Sequence, residues 1–207
     1  MTTKMLSTLA SALALAACAS GAPPMAGQAT LPAAGSGPQF SLFDGPTAGA
    51  PRMHAQAGVP EAIRVPAGHR VAMETVGVGQ LAYDCRANPA MPGSFEWAFA
   101  GPDATLADRG GRAVGKYYGP PATWQSSDGS RITGTQLAVS PAGAGSIPLQ
   151  LVKANPATGS GAMQGVTYIQ RLATRGGAAP ATVCDASRVG NRALVAYQAD
   201  YIFWKSA

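Results

Sequence analysis

Ala193-Leu194-Val195-Ala196-Tyr197-Gln198-Ala199-Asp200-Tyr201-Ile202-Phe203-Trp204 alternates along its whole length. Val195, Tyr197, Ala199, Tyr201 and Phe203 fall on one side; Leu194, Ala196, Gln198, Asp200, Ile202 and Trp204 fall on the other. A period of two is the pleat of a β-strand, whose successive side chains leave opposite faces. The same period appears at Ser94 to Phe99, where Phe95, Trp97 and Phe99 share a face opposite Glu96 and Ala98. Turn signals stand between β-compatible runs at Arg109 to Arg112, Ser127-Asp128-Gly129, Ala157 to Gly161 and Gly176-Gly177. Asp128-Gly129 is the best hairpin tip, joining Thr123–Gln125 to Ser130–Val139. With 26 glycines and 17 prolines in 207 residues, no window long enough for a helix carries a helical stripe. The expected fold is therefore all-β: an antiparallel sandwich or flattened barrel of roughly eight to ten short strands.

This pattern begins near Pro60, and the chain before it has a different character. One cation, Lys4, precedes the apolar run Met5 to Ala17, which is shorter than the ~20 residues that span a bilayer. The layout is that of a secretory signal covering residues 1–17. It ends in Leu15-Ala16-Ala17-Cys18, which resembles the bacterial lipobox, where the cysteine thiol is acylated and becomes the new N-terminus. The alternative is plain cleavage at Ala17-Cys18-Ala19 and a soluble product. Ala19 after the cysteine favours delivery to an outer membrane, facing the periplasm. Residues 18–59 are expected to be a flexible tether: up to about Gln39 nearly every residue is Ala, Gly, Pro, Ser, Gln or Thr, and such a composition cannot bury enough apolar surface to order itself. Residues 40–59 are ambiguous, because Phe40, Leu42 and Phe43 could dock on the domain while Gly45-Pro46 breaks any long element. Residues 60–207 form a single β domain.

Setting Cys18 aside leaves Cys85 and Cys184 as an even pair in an oxidising compartment, where they are expected to bond. Two separate buried thiols are the alternative. A bond closing about a hundred residues would stabilise the fold by ~4 to 5 kcal/mol in the chain-entropy account. Charged residues make up only 12% of the chain, the net charge of +5 includes Lys4, and the remaining cations are scattered. A nucleic-acid partner is not expected, because it would call for a basic stripe with interleaved aromatics. The expected partner is the membrane, through the N-terminal lipid. An envelope polymer, a small molecule or another protein is left open.

Gly77-Val78-Gly79-Gln80-Leu81-Ala82 fits the dinucleotide-binding fingerprint, with Glu96 imitating the ribose acid. The fingerprint works only where a helix follows, and Asn88, Pro89, Pro92 and Gly93 forbid one. No cofactor is expected. No metal is expected either: His54 and His69 have no ligand-type neighbour at helical spacing, and a calcium loop over Asp103 to Asp108 would place Val114 where the bidentate acid belongs. That segment reads as a polar turn. There is no nucleophile elbow and no histidine placed to act as a base. What remains is an aromatic, hydroxyl-rich middle formed by Tyr117, Tyr118, Trp124, Asp128, Ser130 and Arg131, able to line a shallow pocket for a sugar or an apolar ligand. The competing structural reading makes Tyr118 and Trp124 core residues of two strands, and Asp128 a turn residue bonding local backbone.

Several of these residues form a longer ordered pattern. Gly79-Gln80-x-x-Tyr83-x-Cys85, Trp97-x-Phe99, Gly115-x-x-Tyr118-x-Pro120, Trp124, Asp128-Gly129-Ser130, Ile147-Pro148, Val166-Thr167-x-Ile169-Gln170-Arg171, Gly176-Gly177 and Cys184-Asp185 resemble the uncharacterised family DUF3455, from about Pro60 to Trp204. The resemblance brings no activity with it. It implies that Cys85 and Cys184 belong to the common pattern. The chain departs from that pattern at Tyr117-Tyr118, where members often read His-Tyr, and at Leu149, where they often read Trp; a histidine-dependent role at the first position is thus in doubt. The leading expectation is a noncatalytic envelope lipoprotein whose β domain binds a ligand or serves structurally. The alternative is a hydrolase of cell-surface carbohydrate using Asp128 in an aromatic cleft.

Overall fold

The computed structural model describes residues 55–207. The signal segment, Cys18, most of the expected tether and His54 lie outside the described residues. Eight strands follow one another: β1 (His69–Ala87), β2 (Phe95–Ala107), β3 (Ala113–Tyr118), β4 (Thr123–Ser126), β5 (Arg131–Ser140), β6 (Leu149–Ala154), β7 (Val166–Gly176) and β8 (Arg192–Ser206). Each pairs antiparallel with its neighbour in sequence, and β8 returns to pair with β1 from His69↔Ser206 to Asp84↔Arg192. The sheet is thus a closed ring in simple meander order, the flattened-barrel alternative and not the two-sheet sandwich. Closure leaves none of the described strands as a long edge with unpaired backbone groups.

The alternation read in the sequence sets the phase of the ring. On β1, Thr75, Gly77, Leu81, Tyr83 and Cys85 are buried; on β8, Tyr197, Ala199, Tyr201 and Phe203 are buried in the same inward phase. Eight strands leave an interior just wide enough for side chains to fill, with or without one small ligand. Here a stack of rings fills its middle: Tyr117 lies on Trp124 at 4.6 Å and 17°, and both meet Tyr201 at 5.1 and 5.9 Å. The outward phase carries charge, with Asp84 paired to Arg192 and Arg109 bridging Glu74 and Asp200. Among the described residues no helix is long and apolar enough to cross a membrane.

Three features differ from expectation. Some strands are long, with 19 residues in β1 and 13 in β2, because Gly77, Gly79, Gly101 and Pro102 lie inside strands and do not end them. A Cβ on Gly77 would stand 2.7 Å from the Tyr201 ring, and one on Gly79 would stand 2.2 Å from the Asp103 carbonyl oxygen. The glycines of the apparent dinucleotide fingerprint are therefore close-approach positions within a sheet. The supposed polar turn at Asp103 to Asp108 belongs to β2 as far as Ala107, and only Asp108 enters the turn, where it accepts from Gly110 and Arg112 backbone N–H groups. Finally, residues 56–65 pack on the outside of the ring. Val59, Ile63 and Val65 bury themselves with Leu151, Ile202 and Trp204 in a second apolar cluster. Buried Gln170 anchors this strap: its Nε2 donates to the Ile63 carbonyl at 2.7 Å and to Gln56 Oε1 at 3.0 Å. Burying Ile63 alone is worth about 2 kcal/mol. The strap is why both faces of β8 are buried at Ile202 and Trp204, where alternation alone predicts one.

Candidate functional site

In an antiparallel meander the β1–β2, β3–β4, β5–β6 and β7–β8 connections all emerge at one end of the ring. At that end the interior is open, forming a cavity of about 330 Å3. Its walls come from inward-phase residues of successive strands: Leu81 and Tyr83 on β1, Phe99 on β2, Tyr117 on β3, Trp124 on β4, Val152 on β6 and Arg171 on β7. Ala122, Ile147 and Pro148 complete the walls from the connections, with Gln136 and Gln150 at the rim. Phe99 is 54% exposed although it has the inward phase, because it stands in the open mouth against Tyr83, with ring centroids 5.8 Å apart. The size and the mostly apolar lining with a few polar groups match small-molecule sites, at the small end of their range.

Local chemistry fixes the rim. Cys85 and Cys184 are disulfide-bonded, tying the long β7–β8 connection to the end of β1. Two further bonds hold the same connection: the Tyr83 hydroxyl donates to the Gly177 carbonyl at 2.6 Å, and Trp97 Nε1 donates to the Thr182 carbonyl at 2.8 Å. Gly177 has a left-handed φ of 79°, and a Cβ there would meet Leu81 Cδ1 at 2.9 Å and Ile147 Cγ2 at 3.1 Å, so a side chain would push into the cavity wall. The disulfide is thus part of the mouth as well as a brace for the fold.

Polar groups in and beneath the cavity are mainly donors. Arg171 Nε and Nη2 donate to the Pro148 carbonyl at 3.1 and 2.9 Å, which pins the guanidinium beside the mouth. Below it the Tyr197 and Tyr201 hydroxyls lie 3.3 Å apart. Burial pushes the Tyr117, Tyr197 and Tyr201 phenols above the ordinary tyrosine range; the positive charge of Arg171 opposes this and is outweighed. Tyr83 is raised for the same reason. These hydroxyls stay protonated throughout the physiological range. Trp124 is 2% exposed, and its Nε1–H has no hydrogen-bond partner among the described residues.

The six residues singled out in the sequence divide among the cavity, the outer face and the opposite end of the ring. Tyr117 and Trp124 line the cavity. Tyr118, next in sequence, points outward, donates to Gln125 Oε1 at 2.9 Å and shares a shallow outer cleft with Arg131. Asp128 and Ser130 lie in the β4–β5 turn at the opposite end. There Asp128 Oδ1 accepts from the Ser130 hydroxyl at 2.6 Å and the Ser130 N–H at 2.9 Å, while Oδ2 accepts from the Ala162 N–H at 2.7 Å. Those bonds hold its carboxyl down at about 2. The buried Ser130 hydroxyl also accepts from the Met163 N–H at 3.1 Å, so the pair locks the turn to the β6–β7 connection. This is a structural assembly, and it stands apart from the cavity. His69 contacts the Pro66 carbonyl and the edge of Tyr168 on the outside. Among the described residues, no three His, Cys, Asp or Glu side chains come together.

The sequence analysis did not single out Arg171 and Tyr83, which line the cavity, or Tyr197 and Tyr201, which lie beneath it. A signal for them existed. Tyr197 and Tyr201 stand in the inward phase of the most regular strand, carrying hydroxyls into an apolar interior, and Arg171 follows Ile169 in the inward phase of β7.

No curated protein and no solved structure matched the chain. The family model described as "Protein of unknown function (DUF3455)" matches residues 66–205, which takes in all of the ring but its last residue, and the chain belongs to the DUF3455 family.

Proposed function

We propose that this protein is a noncatalytic binding module of a bacterial envelope, lipidated at Cys18, tethered to the outer membrane and facing the periplasm, with its ligand site in the mouth of the β-ring. The observation that carries the reading is the cavity of about 330 Å3, walled by apolar and aromatic side chains from five of the eight described strands and braced at its rim by the Cys85–Cys184 bond. Support for a noncatalytic role comes from the lining itself, in which no carboxylate, histidine or serine is available as base or nucleophile. The rival hydrolase relies on Asp128, whose carboxylate is engaged by three donors away from the cavity and is too weak a base for general catalysis near neutral pH. Export and lipidation rest on the sequence of residues 1–19.

Thermal unfolding of the native protein with small aromatic compounds, indole and phenylacetate, tests the site. At least one of them should raise the melting temperature saturably, and Ala122→Phe, which fills the cavity, should abolish the effect while leaving the unliganded protein folded. Absence of a saturable shift from either compound would leave a purely structural module as the better account.

A further inference from the structure

Resting on the cavity reading above, we infer that the site selects a small amphipathic monocarboxylate, with its apolar body between Phe99 and Pro148 and its carboxylate at Arg171. Three observations lead there. Arg171 is the only formally charged residue lining the cavity, and it has no ion pair with a carboxylate among the described residues. Two of its N–H groups donate to one carbonyl, that of Pro148, and the guanidinium also reaches the Tyr201 hydroxyl, so only part of its five N–H donors is engaged and the rest are left for another acceptor. A cation held in a largely apolar cleft without a counter-ion favours an anionic guest, and the planar fork of arginine matches a carboxylate in two-point contact.

The second observation is a surplus of donors. Trp124 lines the cavity with a buried Nε1–H that has no partner among the described residues, and the phenols beneath it are held in their protonated form, able to donate. A guest rich in acceptors completes such a set, whereas one rich in donors leaves it unsatisfied. The third is capacity. A cavity of 330 Å3 lies at the small end of the range of small-molecule sites, a size suited to one ring with a short acid arm. A phosphate dianion would bring a second charge for which the lining has no second cation.

Titration calorimetry on the full native chain with phenylacetate and its neutral isostere phenylacetamide tests the inference. In the wild type, phenylacetate should bind about tenfold more tightly than the amide. Arg171→Gln should erase that preference, and Arg171→Lys should retain part of it. Should Arg171→Gln fail to fold, the wild-type ratio and its shrinkage on raising salt from 0.05 to about 0.5 M decide instead. Equal affinity for acid and amide overturns the charge selection while leaving a binding cavity in place. Failure of both compounds, and of indole, overturns the cavity reading together with the inference.

Discussion

Replacing Gly77 with alanine should destabilise the domain, and the size of the effect follows from one contact. The added Cβ would lie 2.7 Å from Tyr201 Cε2 and 3.0 Å from Cδ2. Tyr201 cannot yield easily, because it is fully buried and its ring is flanked by Tyr117 and Trp124. Overpacking of this kind costs ~1 to 3 kcal/mol. The alanine also reduces the freedom of the unfolded chain, which returns ~0.4 to 1 kcal/mol. The net loss has its midpoint at ~1.3 kcal/mol within a range of about 0 to 2.6, or a melting temperature lower by roughly 3 to 5 °C at that midpoint for a domain of this size. Gly143 is the internal control: a Cβ there meets nothing within 4 Å and its backbone is not left-handed, so Gly143→Ala should leave stability unchanged or raise it slightly. Thermal and urea unfolding of both variants measures the difference. In a Tyr201→Leu background, where the ring is gone, Gly77→Ala should cost less than it does alone. A Gly77→Ala protein as stable as its parent, or an equal cost with and without the ring, would refute the claim that Gly77 exists to admit Tyr201.

Asp128→Asn should lower the melting temperature by a few degrees near neutral pH without affecting ligand binding, since Asp128 ties two connections together at the end of the ring opposite the cavity. The folded carboxyl sits at about 2 against an ordinary 3.8, so its contribution is complete above pH 4 and is lost as pH falls toward 2; the gap between variant and wild type should close over that window, as melting curves at a series of pH values will record. The intact mass of protein extracted from membranes should begin at Cys18 with added acyl mass, and two alkylatable thiols should appear only after reduction. A chain without acyl groups would remove the membrane address, and thiols free from the outset would remove the brace on the mouth.

The fold was legible where alternation was unbroken and illegible where packing came from outside the strand. Val195 to Phe203 announced both β8 and its inward face, because a period of two leaves little choice of side when one face is apolar. Asp128-Gly129 marked its hairpin for a local reason: the Asp bonds its own turn and the Gly supplies a left-handed φ of 88°. By contrast, the length of β1 was hidden by Gly77 and Gly79, which look like breaks until Tyr201 and β2 are seen to press against them. The strap at 56–65 was hidden by Gly58, Pro60 and Pro66, a composition shared with linkers, although Val59, Ile63 and Val65 carry its burial. The site divided in the same way. Tyr117 and Trp124 stood out as aromatics on neighbouring strands, whereas adjacency in sequence drew in Tyr118, Asp128, Ser130 and Arg131, which the pleat and the turn send elsewhere. Arg171 comes to the cavity from more than forty residues further along the chain, through the ring closure that only the full set of pairings defines.

The indole N–H signals of the protein offer the most direct measurement of the central claim. In a two-dimensional nitrogen–proton spectrum, the three tryptophans are assigned by Trp→Phe variants and followed as phenylacetate is added to saturation. Trp124 lines the cavity, Trp97 is bonded to Thr182 at the rim, and Trp204 lies in the outer cluster beneath the strap. Binding in the mouth of the ring predicts a large, saturable shift of the Trp124 signal, a smaller one for Trp97 and none for Trp204. A Trp124 signal that stays in place while phenylacetate binds would put the ligand somewhere else and contradict the account.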